Sequence, residues 1–313
     1  MNVATANACL VAYRDELDNL PEAQAAAKAR HDKPGKKVLL WLWSGSLRDV
    51  EDYTNAPGLM YLLTYCLVIE GDEDLIWQWL NTTDGLFDDP ALHPLGVNMS
   101  SRWRSFLMRS LVLAKMDLVL DDNADPALEV YSKTDKLKHP LSKPNAHVRR
   151  MSLVPMISAI TTRLCSGIYK ATPVASWDNF ATKAPNYLSG SRESHRGDDA
   201  RVTYARLMIN RPQQPDVAPA LDMLRKFAAS PETSMLLPTN AGTAGLLTAV
   251  LDATARLLGA LGRSEDEQWV QALQKRHTDG EFVMIAKRRR QQRTKRVPRN
   301  EPGLPGARQG AHI

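Results

Sequence analysis

Cysteine is scarce: the 313 residues hold three, Cys9, Cys66 and Cys165, set far apart along the chain. A zinc site of the C-x-x-C kind is excluded, and an odd, sparse set suits a reducing compartment in which each thiol is a small buried apolar residue. Aromatics make up only 6% of the chain, although seven of the twenty are Trp. Long hydrophobic runs are missing too. The stretch 58–69 is about twelve residues, whereas a bilayer span needs ~20, and the longer stretch 239–261 is broken by Asp252 and Arg256. No membrane span is predicted. The first twenty residues set Arg14 against Asp15, Glu16 and Asp18, which is not the pattern of a signal peptide, so they are expected to form the first helix. The sequons at Asn81 and Asn98 are then chance matches. Strand signals are few: Asp84-Gly85 is followed only by LFDD.

Motifs that carry chemistry are equally sparse. The phosphate-loop pattern fails at Gly35-Lys36, because Arg30 and Lys37 stand where it needs Gly and Ser or Thr. Neither H-E-x-x-H nor G-x-S-x-G occurs. Gly242 and Gly245 open a helical stretch whose free N–H groups could hold an anion. The plainer reading has Asn240 capping that helix and the small residues allowing close packing. His139 and His147 flank a proline-bearing loop without an acidic or Cys partner at ligand spacing. Asp88, Asp89, Asp121, Asp122 and Asp125 read as solvated turn acids. No catalytic, cofactor-binding or metal-ligating residue is predicted, and no cofactor.

What is present is a globular composition, 43% hydrophobic and 24% charged. Its charge is divided unevenly. Residues 287–313 hold nine Lys/Arg and one Glu, so residues 1–286 carry 31 basic against 34 acidic side chains and a net −3, beneath a whole-chain +5. Apolar spacing is helical nearly throughout: Trp103, Phe106, Leu107, Ser110, Leu111, Ala114 and Leu118 fall on one stripe. Other helices are expected at 2–18, 21–31, 37–43, 57–70, 72–80, 146–168, 174–188, 200–209, 216–228, 240–261 and 264–277, with Pro155 kinking or splitting the sixth of these. Trp41 and Trp43, two apart, cannot share a helix face.

Several helices pair as a long apolar helix, a short acidic or proline-bearing turn and a shorter helix with an apolar anchor. The anchors Trp77, Leu128, Trp177, Leu221 and Trp269 recur at a spacing of about 50 residues, with Ala25 one step upstream. The predicted fold is all-α: stacked helical hairpins in an irregular solenoid-like body over 1–286, with a disordered, basic, Pro/Gly-rich tail over 287–313. An irregular helical domain is the alternative. The "PALE" helix following 108–125 and the segment LLGALGRSEDEQWVQAL at 257–273 resemble the hairpins of tetratricopeptide and pentatricopeptide repeat proteins, although those families repeat every 33–35 residues. The Trp-rich hairpins and long loops are similar to divergent fungal helical-repeat proteins, and that resemblance implies a role on RNA.

Two basic features complete the reading. The run KRRRQQRTKR supplies Lys287, Arg288, Arg289, Arg290, Arg293, Lys295 and Arg296, which suit nuclear import or sequence-independent phosphate binding. The segment 131–150 adds Lys136, Lys138, Lys143, Arg149 and Arg150 around Pro140 and Pro144. Neither interleaves aromatics for base stacking. The expected function is a non-catalytic binding scaffold with a protein or RNA partner, inside the cell, with the nucleus favoured by the tail and the mitochondrion or cytoplasm as alternatives. A protein adaptor with an import signal, and an all-α enzyme whose site is invisible in sequence, are the alternatives.

Overall fold

The computed structural model describes residues 2–44, 56–81, 98–118, 122–138, 151–189, 196–231, 236–237 and 241–296. Among them are fourteen helices and no strand, so the protein is all-α. In chain order they are α1 (Val3–Asp18), α2 (Glu22–Asp32), α3 (Pro34–Ser44), α4 (Pro57–Glu70), α5 (Asp74–Asn81), α6 (Asn98–Asp117), α7 (Asp125–Lys138), α8 (Val154–Leu164), α9 (Val174–Ser189), α10 (Arg196–Ile209), α11 (Ala218–Ala229), α12 (Ala241–Ala260), α13 (Ser264–Thr278) and α14 (Glu281–Arg296). Contacts divide the chain into two compact units, Met1–Ala220 and Leu221–Ile313, whereas the sequence pattern draws its one boundary at 286/287.

Helix ends follow local chemistry. The Asn2 side chain accepts the Thr5 N–H at 2.8 Å and caps α1. Gly71 (φ 81°) ends α4 in the left-handed conformation, where Asp72 N–H returns to Leu67 O at 2.9 Å. Pro155 does not kink a long helix. It sits in the first turn of α8, where its missing N–H costs no intrahelical bond, and residues 151–153 are outside the helix.

In the first unit α4 is the hub, packed on α1, α2, α3 and α6. Leu59, Met60, Leu63, Cys66 and Leu67 of α4 are buried, as are Ala6 and Leu10 of α1, Leu39 of α3 and Leu107, Met108 and Leu111 of α6. These belong to one apolar core that continues through Ile157, Ile160, Trp177 and Phe180. Two expected hairpins are packed pairs, α6 with α7 and, in the second unit, α12 with α13. The pairing over 146–188 differs: α8 packs chiefly on α6, and α9 chiefly on α10. The anchors Trp77, Leu128, Trp177 and Leu221 are buried, while Trp269 is only half-buried and Val270 and Leu273 take its place in the core. Trp41 packs against the core and Trp43 is exposed.

One cysteine departs from the expected burial. Cys9 is exposed because Ala6 and Leu10 define the buried stripe of α1 and position 9 lies off it. Cys66 is buried and Cys165 is intermediate.

Candidate nucleic-acid interface

The strongest basic segment is helical through Arg296. Gly280 (φ 80°) ends α13, and α14 begins at once with Glu281, whose carboxylate takes a bidentate pair of bonds from Arg276 at 2.8 and 2.6 Å. Phe282 is fully buried against Phe227, ring centroids 4.7 Å apart, and Ala286 is buried one turn later. Packing of the described side chains stops there: Val283, Met284, Lys287 and Arg288 are exposed. The positions of Arg289, Arg290, Arg293, Lys295 and Arg296 continue the same helix. The basic run is therefore a helical arm as far as 296, for which Arg, Lys and Gln are strong formers. Cations near a helix C-terminus also complement its dipole. Residues 297–313 lie outside the described residues.

The second basic segment is only partly seen. Lys136 is exposed on α7 and Lys138 ends that helix, while Lys143, Arg149 and Arg150, with His139 and His147, lie outside the described residues. Lys136 and Lys133 line one side of a groove of about 330 Å³ between α7 and α9, together with Asp125 and Glu129. Its charge is of both signs, so it lacks the single-sign character of a polyanion site. Lys133 is also engaged, its Nζ 3.9 Å above the Trp77 ring.

Gly35-Lys36, rejected as a phosphate loop, forms a helix start whose anion comes from the chain itself. The buried Glu70 carboxylate accepts the Gly35 N–H at 2.6 Å and the Lys36 N–H at 3.1 Å. Two of the orphan donors of α3 are thereby satisfied, and once the carboxyl ionises the dipole is met by a negative group. Lys33, left-handed at φ 48°, ends α2 and pairs with Asp72 at 2.9 Å beside the same junction. Burial pushes the Glu70 carboxyl from its ordinary 4.5 up to about 7, against the pull of the two N–H bonds. Burial, then the Glu70 charge, pushes the Cys66 thiol up to about 12. Because the folded-state value lies above the unfolded one, the Glu70 contribution is complete below about pH 4.5 and is lost as pH rises to about 7. Thermal unfolding should report a loss of order 2–3 kcal/mol between pH 4.5 and 8 from this group. Glu70→Gln, which keeps one acceptor oxygen, should flatten that slope; a slope unchanged in the variant assigns the pH dependence to other groups.

Of the acids read as solvated turn acids, Asp122 is exposed, and the turn it occupies is held by backbone and threonine bonds. Asp122 (φ 50°) presents its carbonyl to the Ala171 N–H at 3.1 Å, and Thr172 Oγ1 accepts the Ala124 N–H at 2.9 Å. Asp125 occupies the first turn of α7; Asp88, Asp89 and Asp121 lie outside the described residues. Gly245 is exposed with no neighbour within 4 Å of a built Cβ, so close packing is not its reason; Asn240 lies outside the described residues. Among the described residues no group of three or more His, Cys, Asp or Glu side chains is placed to hold a metal ion.

Sequence reading missed a series of polar contacts between helices. Tyr13 donates to Asp32 at 3.1 Å, Tyr61 to Asp117 at 2.5 Å, and Tyr187 to Asp135. Arg163 also reaches Asp117 at 2.7 Å, and the Arg14 guanidinium lies over the Tyr61 and Tyr65 rings at 5.3 and 4.8 Å. Arg104 is buried, its Nε donating to Leu80 O at 3.1 Å and its guanidinium 4.5 Å above the Trp103 ring. No sequence signal marks these contacts, because all but the Arg104–Trp103 stacking join residues distant in the chain. What the geometry defines is an all-α protein carrying a basic helical arm. Comparison with family models, curated proteins and solved structures gives no match for this chain.

Proposed function

We propose that this protein is a non-catalytic α-helical binding scaffold that associates with RNA through the basic half of α14, with helical-hairpin surfaces of the tetratricopeptide-like kind open to a protein partner. One observation supports this most directly. The last described side chains packed in α14 are Phe282 and Ala286, and the next ten residues carry seven cations, opening with exposed Lys287 and Arg288. Residues 1–286 sum to −3, so a general electrostatic attraction to polyanions does not arise there.

Phosphate binding by such a run releases condensed counterions, which makes affinity steeply dependent on salt. A chain ending at Ala286 keeps the Phe282 anchor and loses the cations. Its affinity for RNA should fall at least about tenfold at 50 mM salt relative to the intact protein, and most of the salt slope should go with it. Undiminished binding by the shortened chain overturns the role of the arm.

The same run also suits an import signal on a protein adaptor. Fusing 287–296 to a reporter tests that reading: nuclear accumulation, together with no RNA affinity in the intact protein, would favour it over the first.

A further inference from the structure

We infer that the basic arm takes double-helical RNA in preference to single strands; this rests on the RNA reading above and specifies the form of RNA. Three observations lead to it. The first is charge density. Ten helical residues rise about 14 Å, so seven cations stand one per ~2 Å of axis. A DNA duplex carries one phosphate charge per ~1.7 Å of axis, an A-form duplex with its shorter rise spaces them more closely still, and one strand alone carries one per ~3.4 Å, so the arm is nearer to a duplex than to a strand.

The second is distribution around the helix. At 3.6 residues per turn, the positions of Lys287, Arg288, Arg289, Arg290, Arg293, Lys295 and Arg296 leave no sector wider than about 80° without a cation. Positions 289 and 293 fall on the stripe that Phe282 and Ala286 bury one and two turns earlier. A charged stripe is not the kind that extends apolar packing, so the arm is a helical rod whose cation-bearing positions encircle its axis. A single strand offers one row of phosphates to one side of such a rod. The deep, narrow major groove of an A-form duplex brings two rows close together, and both can be neutralised at once.

The third is what the arm lacks. No aromatic residue lies within 287–296, so the stacking platform by which proteins hold unpaired bases is missing. Like charges at i,i+3 (287 and 290, 290 and 293, 293 and 296) and at i,i+4 (289 and 293) also repel within the arm. A duplex relieves that repulsion, so helicity should rise on binding.

The experiment uses the full-length protein with a labelled RNA duplex of about 20 base pairs, its separated strands and the DNA duplex of the same sequence, read by anisotropy from 50 to 200 mM salt. The RNA duplex is expected to bind at least about tenfold more tightly than either strand, with a gain of far-ultraviolet ellipticity on binding. Substituting Lys287→Gln, Arg290→Gln, Arg293→Gln and Arg296→Gln together should make the log–log salt slope shallower by about three to four, with the thermal unfolding midpoint unchanged because these positions follow the packed turn. Strands binding as tightly as the duplex would overturn the duplex preference and leave the RNA reading standing. Tighter binding of the DNA duplex overturns the A-form assignment. Binding of none of the three removes both readings.

Discussion

Gly35→Ala is expected to destabilise the first unit by about 2–4 kcal/mol. A Cβ at this position meets Cys66 Cβ at 2.8 Å, Glu70 Oε1 at 2.9 Å and the Leu67 backbone N at 3.0 Å. Only the carboxylate oxygen belongs to a side-chain end that could swing away, and its movement would break the bonds that Glu70 makes to the start of α3. The other two contacts fix how closely α3 can approach α4. Glycine is needed here for space, since Gly35 shows no positive φ. Urea unfolding followed by circular dichroism measures the effect, and Gly58→Ala supplies the control. Its built Cβ has one neighbour, Asn7 Oδ1, at an ordinary 3.7 Å, so that variant should be neutral or up to about 1 kcal/mol more stable through helix propensity. Equal loss in both variants would remove the steric account.

Trp177→Ala should cost about 3–5 kcal/mol. Trp177 is 1% exposed and is the largest fully buried side chain among the described residues. Its indole N–H donates to the Leu207 carbonyl at 3.2 Å, in the last turn of α10, where carbonyls run out of intrahelical donors. Two losses are combined: a cavity in the core and a buried acceptor without its donor. Trp177→Phe separates them. It keeps most of the apolar volume and deletes the donor, so it should cost about 1–3 kcal/mol, the range for a buried polar group losing its partner. A phenylalanine variant as unstable as the alanine one would assign the whole effect to the hydrogen bond.

The helices were legible because their evidence is local. The stripe from Trp103 to Leu118, the turn at Gly71 and the Gly262-Arg263 break before α13 all announce themselves within a few residues, and the boundaries of α4 agree with the pattern at both ends. Pro155 was legible as an interruption, but whether it kinks a helix or begins one depends on the residues before it. The start of α14 was not legible at all. EFVMIA is too short a run to show a period, and what holds it is the meeting of Phe282 with Phe227, 55 positions earlier. The same limit hid the three Tyr–Asp pairs and the burial of Arg104. The basic run itself was visible as composition; that it continues a packed helix was not.

Glu70 also bears on the order in which the chain can fold. It supplies the cap of α3 from 35 positions further along, so α3 emerges during synthesis with its first N–H groups open. They are closed only when α4 has formed to its last turn and docked. Amide exchange at Gly35 and Lys36 is thus a clock for the docking of α4, and should slow in step with the core amides of α4, whereas the opposite end of α3 frays on its own schedule.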